Sequence, residues 1–298
     1  MSSERIIMPL LYRDVVTLEY PIWYLDNRIF LVTIYDEDYG AFLKTEEDDF
    51  YKKNIDSKIW CIYVNEPSFE DFNVYIKEMA IKLKFVLNNF SSGIPVVLPF
   101  AALISTKDEN THIKKLSDIE AVANLHSFKK KILKIRPTYN SETVATHFKI
   151  VNQCCDKNRS LLFTLGRFNS CLSRHEILDK IVDITICLES IIGGTQELRY
   201  RFSLHHSLIS ESDVQSRMDA FDFFMALYDA RSAIVHGDVS PKDAKKKIDK
   251  IENNWNKILR LAKSSINYYL FYLFQNSDCK WDQHLKNLVF GKDKRIVD

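Results

Sequence analysis

The sequence predicts an α+β protein: a mixed α/β part, residues 1–140, followed by an all-α part, residues 141–298. In the first part, short runs of β-branched and aromatic residues alternate with a segment of helical periodicity. From about residue 142 onwards the strand patterns stop, and long helical periods follow one another. The segment 136–141 is rich in turn-forming residues, so we expect two domains with a hinge between them.

Three strands and two helices are predicted in the first part. Residues 29–35 and 59–64 are short, rich in β-branched and aromatic side chains, and bounded by acidic or turn-forming segments, as buried strands often are. Residues 95–98 are a candidate third strand. Apolar residues recur at helical spacing over 72–90, and a capping box at 117–120 predicts a further helix that ends near residue 131.

Helices are predicted throughout the second part. Four helices have recognisable ends. A capping box precedes the first of these helices, and Gly193 and Gly194 end it. Ser240 and Pro241 start the fourth helix. These predicted helices cover 177–192, 196–209, 213–236 and a long last segment from residue 241 to beyond Leu261.

The composition describes a globular protein without a strong electric field. With 46% hydrophobic residues the chain can bury a full core, and a formal net charge of +1 leaves any nucleic-acid contact to a local patch.

The six cysteines form no C-x-x-C pair and no cluster at zinc-ligand spacing, so we expect a reducing compartment and no metal site. The longest apolar run, 94–104, is too short to span a bilayer, and the N-terminal segment does not resemble a secretory signal. We therefore expect a soluble cytoplasmic protein that does not contact membranes.

Residues 227–237 contain the side chains best suited to chemistry. Arg231 is a permanent cation suited to phosphate, and His236 is of the type that exchanges a proton near neutral pH. Gly237 is the residue that commonly ends a helix in the left-handed conformation. An anion-binding group and an acid/base group at one helix end indicate half of a site that cleaves phosphodiesters.

The spacing alone is a weak signal. A chain of this composition contains roughly a third of an Arg-x4-His match by chance. Arg201 and His206 have the same spacing, so the pattern by itself does not choose between the two pairs.

The residues around Arg231 and His236 resemble a known family. The stretch similar to the Arg-x4-6-His signature of the HEPN superfamily, in particular its Apea-like branch, is Leu227-Tyr228-Asp229-x-Arg231-Ser232-x-Ile234-Val235-His236-Gly237. Two earlier stretches, 162–168 and 178–192, are similar to the second segment of that branch, where a helix ends in a Leu-Glu-rich motif. The resemblance covers about residues 150–275 and does not reach the first part.

The resemblance implies a HEPN-like helical bundle that forms a homodimer, so that two Arg-x4-6-His motifs build one composite site. Many members of the family are metal-independent ribonucleases, which implies RNA as the substrate and no cofactor. In that chemistry a pair of His236 side chains activates the ribose 2′-hydroxyl and protonates the leaving 5′-oxygen, while Arg231 stabilises charge on the phosphate. Such endoribonucleases often belong to prokaryotic toxin or antiphage systems, so antiviral defence by cleavage of the host's own RNA is the implied biology.

Family membership does not prove catalysis, because some HEPN proteins have lost activity. The alternative function is an inactive HEPN module that binds RNA or nucleotide, or that holds a defence complex together. In either case we expect residues 1–140 to serve as a sensor, targeting or inhibitory element that meets a regulatory partner.

The geometry of a regular helix limits what Arg231 and His236 can do within one chain. Residues five apart diverge by about 140°, so the two side chains converge only if the helix end distorts or a second copy completes the site. In a purely structural alternative, Arg231 pairs with Asp229 or Glu189, and His236 interacts with the helix C-terminus. Glu189, Asp229 and Ser232 are the residues that we expect to support the site.

Three further sets of residues are secondary candidates. Lys242, Lys245, Lys246 and Lys247 either contact RNA phosphates or form a solvated helix face. His205 and His206 are expected on a solvated or RNA-contacting face. The aromatic residues of 268–274 are expected in the core or at a dimer surface.

Overall fold

The structure is a computed structural model, and it describes the backbone of residues 3–10, 22–24, 29–33, 60–65, 72–90, 100–107, 110–118, 141–193, 197–237, 241–276, 280–293 and 295. Side chains are described for residues 74, 77–90, 142–193, 197–237, 242–276, 280–293 and 295. Contacts divide the chain into two compact units, Met1–Asn152 and Gln153–Asp298. The predicted domain boundary after residue 140 stays a prediction.

The described residues contain six strands and nine helices. In chain order these are β1 Ser3–Leu10, β2 Ile22–Tyr24, β3 Ile29–Thr33, β4 Trp60–Asn65, α1 Phe72–Phe90, β5 Phe100–Lys107, β6 Asn110–Asp118, α2 Ser141–Lys157, α3 Ser160–Ser173, α4 Ile177–Ile192, α5 Leu198–Ser210, α6 Val214–His236, α7 Pro241–Asn253, α8 Trp255–Gln275 and α9 Trp281–Val289.

The backbone of the first unit forms an antiparallel sheet beside two helices. Its described strands run in the order β2-β3-β4-β1-β5-β6, and all five neighbouring pairs are antiparallel. Helix α1 is buried on nearly every side between Met79 and Asn88. It contacts α2 through His147, whose ring lies 5.4 Å from the Phe90 ring, and through Lys82, whose Nζ donates to Asn152 Oδ1 at 2.8 Å.

The predicted α+β class is wrong for the part of the chain whose side chains are described. Between residues 77 and 293, 88% of the residues with described side chains lie in helices and none lies in a strand, whereas β5 and β6 are described by their backbone alone. The described core is therefore built by packing helix against helix. The α+β prediction rested on β-branched runs in residues 1–140, and such runs favour a strand without showing which side chains build the core.

Two element boundaries also differ from the predictions. The predicted start of a helix at 117–120 is wrong, because Ser117 and Asp118 are the last residues of strand β6. The rest of that predicted helix, residues 119–131, lies outside the described part. The candidate strand at 95–98 lies outside it as well. The single long last helix is wrong, because α7 ends before Asn254, whose side-chain amide donates to the Lys250 carbonyl at 2.9 Å. That hydrogen bond lets Asn254 occupy the break between α7 and α8.

Helix α4 is the centre of the second unit. It packs against α3, α5, α6, α7 and α8. Its apolar residues recur at helical spacing and are at most 3% exposed; they are Ile181, Ile184, Leu188, Ile191 and Ile192. The Trp281 ring nitrogen of α9 donates to the Ile191 carbonyl at 2.8 Å, so α9 also contacts this helix.

A buried carboxylate joins α4 to α3. The Asp183 side chain is 3% exposed and accepts hydrogen bonds from Arg167 at 2.8 Å and from Arg174 at 2.9 Å. Both arginines lie at the protein surface, with side chains 37% and 49% exposed. Their charges compensate for the desolvation of Asp183, which would otherwise be costly.

We expect Asp183→Ala to lower the free energy of unfolding by about 3 kcal/mol, since the substitution breaks a buried charge network. Asp249→Ala, at an exposed position on α7, is the control and should change stability by about 0.5 kcal/mol or less. Urea unfolding of both variants measures the difference. Equal effects of the two substitutions would show that the network contributes nothing to stability.

Candidate functional site

Helix α6 carries the motif residues, and its two ends lie where the sequence predicts. Asp213 caps the start, where its side chain accepts a hydrogen bond from the Ser216 backbone N–H at 2.8 Å. Gly237 ends the helix with φ +66°, and its N–H donates to the Ala233 carbonyl at 3.2 Å. A side chain at position 237 would be strained in this conformation, so glycine fits here.

Arg231 lies in the last turns of α6 and faces the end of α4. Its Nη2 is 3.8 Å from Glu189 Oε2, and the two side chains are 21% and 22% exposed. This distance is within an ion pair but too long for a hydrogen bond. Arg231 Nε is buried and has no hydrogen-bond partner among the described residues. The guanidinium is therefore held by charge while most of its donors stay free.

Glu189, Tyr228 and Arg231 interact electrostatically. Burial raises the pKa of Glu189, and the nearby Arg231 charge opposes part of that rise. Burial also raises the pKa of Tyr228, with a further rise from the Glu189 charge and a smaller opposing effect of Arg231. The three side chains thus form one cluster at the contact of α4 with α6.

His236 does not belong to this cluster. It is the last residue of α6 and is exposed to solvent. Since α6 remains a regular helix up to this point, Arg231 and His236 diverge by about 140° around its axis. One copy of the chain therefore presents the two side chains on different sides of α6.

The three predicted supporting residues have different surroundings. Glu189 lies next to Arg231, as described above. Asp229 accepts two hydrogen bonds from Arg199 of α5, at 2.5 Å from Nε and 2.7 Å from Nη2. Ser232 is half-buried on α6. The sequence left two ion-pair partners open for Arg231 in a purely structural role, Asp229 and Glu189. Arg231 pairs with Glu189, while Asp229 pairs with Arg199.

The second Arg-x4-His pair lies in a different environment. The His206 side chain is fully buried, and its Nε2 is 3.1 Å from the Leu188 carbonyl oxygen. Its ring packs against Phe202 and Phe224, with centroids 4.9 and 5.2 Å away. Burial lowers the pKa of His206 to about 3, so the ring is neutral at physiological pH. His206 is a core residue that substrate cannot reach.

The expectation that His205 and His206 lie on a solvated face is wrong. His205 is 8% exposed and His206 is fully buried, and burial lowers the pKa of His205 to about 4. The error arose because α5 buries several polar residues, among them Ser203 and Ser207, so its buried face does not look apolar in the sequence.

The lysines that follow the motif lie on α7. Lys242, Lys245 and Lys246 are exposed, whereas Lys247 is half-buried. Their exposure suits either of the predicted alternatives, and contact with RNA stays a prediction.

The tyrosines of 268–274 are core residues as expected, with Tyr268, Tyr269 and Tyr272 at most 8% exposed.

An open groove beside the cluster was not predicted. It has a volume of about 710 Å³ and lies between the start of α5 and the middle of α6. Its lining residues are Glu197, Leu198, Arg199, Tyr200, Met225 and Tyr228. Tyr228 belongs both to this groove and to the cluster around Arg231. No pattern in the sequence indicated this groove, because its residues come from two helices and the exposure of Tyr200 is seen only in the structure.

Among the described residues, no helix is long and apolar enough to cross a membrane. In the same part of the chain, no three histidine, cysteine or carboxylate side chains converge as a metal site would require.

Comparison with known proteins adds no relative. A search against protein-family models found no match, and searches against curated proteins and solved structures found no similar protein.

We expect the buried His206 to make the fold sensitive to acid. The unfolded chain takes up a proton as pH falls below 6.5, whereas folded His206, with a pKa of about 3, does not. Stability is therefore lost as pH falls from 6.5 towards 3, by about 2 kcal/mol at pH 5 for this one group. Urea unfolding at several pH values should show a shallower pH dependence for His206→Asn than for the parent chain. An unchanged slope would mean that His206 titrates normally in the folded protein.

Proposed function

We propose that the helical unit is a metal-independent endoribonuclease, in which Arg231 and His236 cleave RNA and two copies of the chain complete the site. One observation supports this choice of residues above all. The chain has two Arg-x4-His pairs, and only the pair at the end of α6 has a histidine that substrate can reach.

The chemistry follows from the two residue types. Neutral His236 accepts the proton of a ribose 2′-hydroxyl, whose oxygen then attacks the adjacent phosphorus. The bond to the 5′-oxygen breaks, and that oxygen takes up a proton from His236 of the second copy as it leaves. Arg231 stabilises the extra negative charge on the phosphate during this exchange. The products are a 2′,3′-cyclic phosphate and a free 5′-hydroxyl.

The surroundings of Arg231 suit an approaching phosphate. Its contact with Glu189 is longer than a hydrogen bond and its side chain is 21% exposed, so its terminal nitrogens are available for phosphate oxygens. Because burial raises the pKa of Glu189, this carboxyl loses its charge more readily than an exposed one when an anion approaches. The exposed lysines at the start of α7 add positive charge for the RNA backbone.

One observation also favours the second candidate, an inactive HEPN-like module that binds RNA or holds an assembly together. The Arg231–Glu189 contact is the ion pair that a purely structural role would require. The proposed cytoplasmic setting rests on the composition of the chain, whereas a toxin or antiphage role there rests on the family resemblance alone.

We expect Arg231→Ala and His236→Ala each to slow RNA cleavage by roughly 100-fold or more, the usual contribution of an acid/base or oxyanion-stabilising group. Arg201→Ala is the matched control for arginine and His175→Ala the control for an exposed histidine. Both controls should cleave at the parental rate. Cleavage of a labelled single-stranded RNA and circular dichroism of each variant provide the measurement. Parental activity in His236→Ala would remove that residue from the mechanism.

The substrate provides an independent test. If the 2′-hydroxyl is the nucleophile, replacing it by hydrogen at every position abolishes cleavage, and excess chelator leaves the rate unchanged because Arg231 supplies the charge stabilisation. Cleavage of the 2′-deoxy strand, or loss of activity in chelator, would contradict the mechanism. Binding of RNA without cleavage under any condition would favour the inactive module.

A further inference from the structure

The groove between α5 and α6 contains an exposed aromatic ring that is held in place. We call the groove lined by Glu197, Leu198, Arg199, Tyr200, Met225 and Tyr228 the α5–α6 groove. Tyr200 is 55% exposed, and its ring packs against the Phe221 ring at 71°, with centroids 5.8 Å apart. More than half of this side chain therefore meets solvent, while the contact with Phe221 limits its movement. Tyr200 thus offers a flat surface that is already positioned for a flat ligand.

Charges of both signs lie on the α5 side of the groove. Arg199 donates to Asp229 through Nε at 2.5 Å and through Nη2 at 2.7 Å, and this paired contact fixes the plane of the guanidinium. Glu197 is exposed directly before α5, and its carboxylate supplies acceptors only. The α5–α6 groove thus combines aromatic surface with hydrogen-bonding groups at its rim, and proteins use this combination to hold a heterocyclic base.

The groove continues to the residue that is proposed to hold phosphate. Tyr228 lines the groove, and Arg231 follows it by three residues, about 4.5 Å along the axis of α6. Residues three apart are neighbours on a helix surface, and the Arg231 charge acts on Tyr228. A phosphate bound at Arg231 therefore has the groove within reach of the base of an adjoining nucleotide.

We propose that the α5–α6 groove is a base subsite for single-stranded RNA, in which one nucleobase stacks on Tyr200 while Arg231 holds a phosphate beside it. The place of this base next to the scissile phosphate rests on the proposed function, whereas the binding of a base at Tyr200 does not. The subsite lies within one copy of the chain.

The size and charge of the groove favour a single strand. Its volume of about 710 Å³ lies in the range of sites that enclose small ligands, so a base with its ribose fits. A base enters such a site only after it leaves its stack, which costs least in a single strand. The Glu197 carboxylate repels phosphate. We therefore expect the RNA backbone at the Arg231 end of the groove and the base towards Glu197.

The same base chemistry is present in a free mononucleotide, and the charges on α7 favour RNA as its source. Lys242, Lys245 and Lys246 are exposed on the helix that follows α6. Cations in this position suit the further phosphates of a strand, which a mononucleotide lacks.

Binding of an uncleavable strand tests the subsite without reference to cleavage. A labelled single strand with a 2′-O-methyl group at every position keeps its bases but has no free 2′-hydroxyl. In fluorescence anisotropy, Tyr200→Ala should bind this strand about 5- to 100-fold more weakly than the parent chain, the range expected for loss of one stacked base. Tyr200→Phe keeps the ring and should bind as the parent does. Phe290→Ala, which removes an aromatic side chain that is 77% exposed outside the groove, is the matched control and should also bind normally.

A strand without bases separates stacking from charge. An abasic strand of the same length carries the same phosphates, so the parent chain and Tyr200→Ala should bind it with equal affinity. The duplex form of the labelled strand, and a mononucleotide as the free source of the base, should each bind the parent chain more weakly than the single strand does. Circular dichroism verifies that each variant is folded.

The possible results separate the subsite from the proposed function. Equal affinity of Tyr200→Ala and the parent chain for the base-containing strand would overturn the subsite. Tighter binding of the duplex or the mononucleotide than of the single strand, or no binding of the single strand at all, would overturn it as well. If the parent chain binds the strand through Tyr200 but leaves unmodified RNA uncut, the subsite holds and the proposed function is refuted.

Discussion

The burial of one face of α4 is the constraint on which the helical unit depends. Five other helices pack against α4, so its position sets theirs. Two adjacent residues near its end contact both histidine-containing motifs: the Leu188 carbonyl lies 3.1 Å from His206 Nε2, and the Glu189 carboxylate lies 3.8 Å from Arg231. One turn of α4 thus contacts the buried histidine of one Arg-x4-His pair and the half-buried arginine of the other. The packing of α6 against α4 therefore determines where Arg231 lies in the proposed site.

Burial separates two motifs that chemistry alone does not distinguish. Both consist of an arginine and a histidine with four residues between them, on neighbouring helices. On α5 the histidine falls on the buried face among Phe202 and Phe224, where a charged ring is too costly. On α6 the histidine is the last helical residue before Gly237, and the helix end leaves it in water. Accessibility, rather than spacing, therefore makes the second pair the better candidate.

Local signals in the sequence were sufficient for the extent of α6 and for Gly237 at its end, because that glycine acts through its own backbone neighbours, whereas the cap formed by Asp213 was not predicted. They also named Glu189 as one of two partners for Arg231. The fold class failed, since β-branched runs show local preference and not which side chains build the described core. The burial of His205 and His206 could not be predicted either, because it depends on α4 and α6, which are distant in sequence. The exposure of Val214 and Met218 was not predicted for a related reason, because apolar residues on a helix look like core positions in the sequence.

We propose above all that Arg231 and His236, at the end of α6, cut RNA by transesterification without a metal. The chemistry of the product ends tests it most directly, because it reports the nucleophile whatever the sequence of the RNA. A short labelled RNA cut by the purified protein should yield fragments that carry a 2′,3′-cyclic phosphate on one side of the break and a 5′-hydroxyl on the other. Fragments with a 5′-phosphate and a 3′-hydroxyl would show that water attacked the phosphate, and they would contradict the account.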